Sequence, residues 1–81
     1  MSNYITDGLR AELTELDREI QEIVGQMMSG CFTPRRVATK MEEIERKLDF
    51  IDPEVDSALH AKVKSNHTSA SMIYVRLTEK E

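Results

Sequence analysis

Tryptophan is absent from this chain, and tyrosine and phenylalanine occur twice each. Aromatics at 5% against charged residues at 32% exclude the balance of a sandwich or barrel and fit a solvated helical protein with an aliphatic core. Cysteine occurs once, at Cys31, so no internal disulfide can form, and a lone thiol suits a reducing compartment. A catalytic thiol needs a nearby base, and Cys31 has none close in sequence. No run approaches the roughly 20 apolar residues of a membrane span, and the first thirty residues lack the basic start and unbroken apolar core of a signal peptide. The expected location is the cytoplasm, away from membranes.

A basic excess is missing too. Net charge is −4, and residues 4–29 hold six acids against two bases while the rest balances. Nothing tracks a phosphate backbone, so nucleic acid is not an expected partner. The acidic first segment could face a basic partner, although a solvated outer face explains it more simply. Eighty-one residues make one domain that buries only about 60–65% of its unfolded surface. Self-association or a partner would therefore help it. An apolar fraction of 40% is too high for a disordered chain.

What the chain does have is an apolar seam at three-or-four spacing. It runs Ile5, Leu9, Leu13, Leu16, Ile20, Ile23, Met27, then Val37, Met41, Ile44, Leu48, Ile51, then Val55, Leu59, Val63. That alternation predicts helices burying one stripe against another helix. Helix 1 is expected over about 5–29, capped by Thr6 or Asp7, with Glu15, Arg18 and Glu22 as helical neighbours. Gly25 weakens it, or admits a close approach of the returning helix. Gly30 ends it. After a turn over 30–33, Thr33 reads as an N-cap and Pro34 as the first residue of helix 2, about 34–51. Glu42 with Arg46 and Glu43 with Lys47 have the spacing of ion pairs. So short a turn predicts an antiparallel, coiled-coil-like hairpin.

Asp52-Pro53-Glu54 restarts a helix, by a break or a kink, over about 53–64. Ser65-Asn66-His67-Thr68-Ser69 are poor helix formers and read as a polar linker. The terminal segment, 70–79, fits a helix through Ala70, Ile73 and Leu77, or a strand through Ile73, Val75 and Leu77. The fold class is all-α: a helical hairpin with a shorter third helical segment, in a single small bundle expected to be oligomeric.

Candidate chemistry is sparse. His60 and His67 lie about 10 Å apart on a helix, too far for one metal, and read as surface histidines. No Gly-rich phosphate loop or Gly-x-Ser-x-Gly elbow is present. No catalytic, cofactor or metal site is expected.

Leu9-Arg10-Ala11-Glu12-Leu13-Thr14-Glu15-Leu16-Asp17-Arg18-Glu19-Ile20 resembles the opening of the first helix in all-helical chorismate mutases. The resemblance implies a mutase-like helical enzyme as a third reading. In that family a leucine pair and a substrate-gripping arginine follow; here Ile23-Val24-Gly25-Gln26-Met27-Met28 stands in their place, without the arginine.

The main expectation is interaction. Val24, Met27, Met28, Phe32 and Met41 gather at the hairpin tip, where methionines adapt to irregular partner surfaces or close a loose core. Phe50 falls on the polar face of helix 2, and Met72, Tyr74 and Val75 lie off the terminal seam. Arg35 and Arg36 sit in a first turn that disfavours cations. They hold an anion or acidic partner, or face the C-terminus of helix 1. The partner-binding set is thus Val24, Met27, Met28, Phe32, Met41, Phe50, Arg35 and Arg36. In organisation the chain is similar to the helical-hairpin co-chaperones of bacterial secretion systems. The expected function is a small non-enzymatic adaptor, chaperone or inhibitor that binds a protein partner through an apolar stripe; the alternative is a self-assembling structural subunit.

Overall fold

Helices form where the apolar seam runs, in a computed structural model that describes residues 4–79. They are α1 (Tyr4–Ser29), α2 (Pro34–Phe50) and α3 (Ser57–Glu79), with a 3-10 turn at Pro53–Val55. No strand occurs among the described residues.

Gly30 ends α1 as its position suggests. Its φ of 81° is the left-handed region that glycine enters without strain. There Gly30 N–H reaches the Met27 carbonyl at 3.2 Å and Cys31 N–H reaches Gln26 at 3.1 Å, the paired bonds of a Schellman ending. Thr33 occupies the N-cap of α2 with extended backbone and Pro34 follows, but the Thr33 side chain makes no capping bond. Thr6 and Asp7 lie inside α1, which begins at Tyr4, rather than capping it.

The seam becomes the core. Leu13, Leu16, Ile20, Ile23 and Met27 of α1 meet Val37, Met41, Ile44 and Leu48 of α2, with Ile51 just beyond. Val63 and Ala70 of α3 complete it. Each large side chain so buried contributes roughly 1.5–3 kcal/mol. The molecule is a rod of 53 × 17 × 16 Å.

The third helix departs from expectation. Asp52 does cap, its Oδ1 accepting from Glu54 N–H at 2.9 Å, and Pro53 takes the first position, but only a 3-10 turn results. The helix proper starts at Ser57, where Asp56 Oδ1 accepts from Leu59 N–H at 3.1 Å. It then runs unbroken to Glu79, so the linker expected over 65–69 is helical and the terminal segment is helix, not strand. Tertiary bonds override the poor propensity there. Asn66 Nδ2 donates to Asp17 Oδ1 at 2.7 Å and His67 Nε2 bonds the Met41 carbonyl at 2.9 Å, while Thr68 Oγ1 donates within the helix to the Lys64 carbonyl at 3.1 Å.

The histidines are the second correction. His60 is buried, its Nε2 3.3 Å from the Leu48 carbonyl, and His67 is half-buried. A carbonyl only accepts, so in both rings Nε2 carries the proton. Both pairs are seven residues apart on each helix and in opposite order, so α2 and α3 run in opposite directions. Arg10–Asp56 at 3.3 Å and Asp17–Asn66 rise together, so α1 and α3 run the same way. With the histidines counted, the inner stripe of α3 is His60, Val63, His67, Ala70, Tyr74 and Leu77. Tyr74, expected off the seam, packs against the core.

On the surface, Arg18 bridges Glu15 and Glu22 as its spacing suggests, its Nε donating to both Glu15 oxygens at 3.1 Å. Those bonds, with the arginine charge, hold the Glu15 carboxyl below its ordinary range. The resulting stabilisation is present above the ordinary carboxyl value of 4.5 and is lost as pH falls below it. Glu42–Arg46 and Glu43–Lys47 do not close; Glu43 instead lies 3.9 Å from Lys40. Exposed ion pairs contribute too little to hold one geometry over another.

Gly25 needs no close approach. A Cβ there would meet nothing within 4 Å. Gly25→Ala is therefore expected to stabilise the protein by about 1 kcal/mol through helix propensity and unfolded-state entropy. A thermal melt should rise by about 4–8 °C.

Candidate protein-interaction site

Once the three helices have closed the core, four large apolar side chains among the described residues remain exposed: Phe50 at 90%, Met28 at 73%, Met72 at 56% and Val75 at 47%. The last three share one end. Met28 is in the final turn of α1, and Met72 and Val75 are in the final turns of α3. Since α1 and α3 run the same way, their C-terminal turns stand side by side. Between them opens an apolar pocket of about 590 Å³, lined by Met28, Ile73 and Leu77 with Arg76 and Glu79 at its rim. Met72 and Val75 are also exposed at this end of α3 but do not line the pocket. The helical positions explain the exposure: neither falls on the stripe that carries Ala70, Tyr74 and Leu77 inward.

A second, larger depression of about 890 Å³ runs between the C-terminal half of α1 and the N-terminal half of α2. Ile23, Phe32 and Val37 form its apolar floor. Its walls are sorted by charge. Glu19 and Glu22 stand on α1, facing Arg35, Arg36 and Lys40 on α2, where Glu43 is the one acid lining the groove. Lys40 Nζ lies 3.8 Å from Glu19 across the groove.

The expected partner-binding residues are therefore dispersed. Met28 lines the pocket. Phe32, Arg35 and Arg36 line the groove, and Phe50 lies exposed at the far end of α2. Val24 is half-buried against the core. Met27 and Met41 are 2% and 7% exposed; they close the core and offer a partner nothing. Sequence periodicity placed Met27 and Met41 on the seam, and the seam proved the better guide. It missed Ile73, Arg76, Leu77 and Glu79 as pocket residues. Only an α3 running as far as α1 creates that pocket, and the supposed linker hid this.

Among the described residues, no three of His, Cys, Asp or Glu gather as metal ligands. Cys31 is free and exposed. No described helix is long and apolar enough to cross a membrane. The segment resembling a mutase helix supplies core residues, Leu13, Leu16 and Ile20. No protein-family model, characterised protein or solved structure matches the chain.

Proposed function

We propose that this chain is a small non-catalytic protein-binding module of the cytoplasm, working as an adaptor, chaperone or inhibitor without cofactor or metal. Its frame is an antiparallel, coiled-coil-like hairpin of α1 and α2 with α3 laid along it. The observation that carries the reading is the apolar end pocket. Met28 stays in water although the core is complete, and Ile73 and Leu77 line the same pocket beside it. An exposed methionine beside an apolar pocket makes an adaptable surface that suits an amphipathic helix or apolar tail. A contiguous patch of this kind on a small protein marks a contact surface more often than chance.

Met28→Glu combined with Val75→Glu tests this. Both positions are exposed, so helicity by circular dichroism should be unchanged. A protein retained by the wild type from its own cell, and then reconstituted with it from purified components, should bind the double variant at least about ten-fold more weakly. Equal binding by both proteins sinks the reading.

The alternative, a self-assembling subunit, is supported by a different surface.

A further inference from the structure

We infer that the face formed by α1 and α2 is built to dock a second copy of this chain, groove against groove, about a two-fold axis parallel to the helices. It concerns a different face from the Met28 pocket and stands or falls separately.

The charge pattern carries the argument. The outward stripe of α1 on this face runs Gly8, Glu12, Glu15, Glu19, Glu22, Gln26, without a cation of its own, while Arg18 beside it bridges Glu15 and Glu22. The facing stripe of α2 runs Arg36, Lys40, Glu43, Lys47, Phe50, with Arg35 beside it. Its one acid, Glu43, lies near Lys40. Both stripes keep the three-four spacing of a single helix face. The groove thus has an acidic wall and a basic wall over an apolar floor. Arg35 and Arg36 have no acidic partner within salt-bridge range among the described residues.

Two-fold symmetry makes such a face self-complementary in one way only. An axis across the helices would lay α1 on α1 and set Glu12, Glu15, Glu19 and Glu22 against their own copies. An axis along the helices lays α1 on the partner's α2 and its α2 on the partner's α1, so each acidic wall meets one that is basic at every charged position but Glu43. The Lys40–Glu19 contact sets the level of α1 against α2. At that level Glu22 of one copy faces Arg36 of the other.

The same level gives Phe50, otherwise unexplained at 90% exposure, a place to go. It continues the α2 stripe past the groove and comes opposite the partner's α1 near Gly8. A Cβ added at Gly8 would meet nothing within 4 Å, so a ring can lie flat there. Size agrees as well. A stable interface needs about 800 Å² per partner, which only the long face of a 53 × 17 × 16 Å rod can supply.

The test is mass by light scattering and native mass spectrometry over a dilution series reaching millimolar, with helicity followed by circular dichroism. The wild type is expected at twice its 9.3 kDa. Phe50→Asp should raise the dissociation constant at least about ten-fold, and Met28→Glu should leave it unchanged. Glu22→Arg and Arg36→Glu should each be monomeric alone, through like-charge contact. Mixed one to one, they should form a heterodimer, because each wall of one then meets its opposite in the other. A wild type monomeric throughout, a dimer untouched by Phe50→Asp, a dimer lost with Met28→Glu, or no heterodimer on mixing would each overturn the proposal. Partner capture at the end pocket is read separately, so loss of one reading leaves the other standing.

Discussion

Ile20→Ala is expected to leave this protein close to unfolding. The side chain is fully buried at the middle of the α1 seam, between Leu16 and Ile23. Truncating a buried isoleucine removes its transfer free energy and leaves a cavity, together about 2–5 kcal/mol. A domain of this size has about 4–12 kcal/mol in total. The loss is therefore a large share, and a core of a dozen side chains has few neighbours free to collapse into the space. The melting temperature should fall by at least about 10 °C, with part of the helical signal already lost at the lower end of that stability range. Phe50→Ala is the control. The ring is 90% exposed, and the change should stay within about 0.5 kcal/mol for the monomer. A melt insensitive to Ile20→Ala would mean that α1 is not docked along the seam.

The second large effect is expected at His60, from a residue that looks like surface in the sequence. His60→Ala removes a buried ring and a bond to the Leu48 carbonyl. The cavity and the lost bond should together destabilise by about 2–3 kcal/mol. His67→Ala removes a shorter bond, 2.9 Å to the Met41 carbonyl, from a half-buried site, and about 1 kcal/mol is expected. Urea unfolding of the two variants measures both values. Surface histidines would move the midpoint by less than about 0.5 kcal/mol each. That outcome would remove the two pins that set the register of α3 on α2.

The two residues also show why the third helix was hard to read. Propensity scores Ser65 to Ser69 as a linker because, taken alone, such side chains compete with the backbone for hydrogen bonds. In the fold, Asn66 and His67 spend their bonds on Asp17 and Met41 of the other helices, and Thr68 bonds one turn back within α3. Nothing in the local sequence announces those partners, which lie 49 and 26 residues away. The end pocket was hidden for the same reason, since Met28 meets Ile73 and Leu77 only if α3 is continuous.

By itself the sequence determined the all-helical class, the seam from Leu13 to Ile51, the stop at Gly30, the start at Pro34 and the Glu15–Arg18–Glu22 cluster. All of these follow from apolar periodicity, from glycine and proline backbone limits, or from contacts three and four residues apart. Tertiary structure decided the length of α3, the burial of His60, the failure of Glu42–Arg46 to close, and the pocket that Met28 shares with Ile73 and Leu77. Periodicity is a property of one helix, visible along the chain. Whether a polar group is satisfied, or an apolar one covered, depends on what stands across from it.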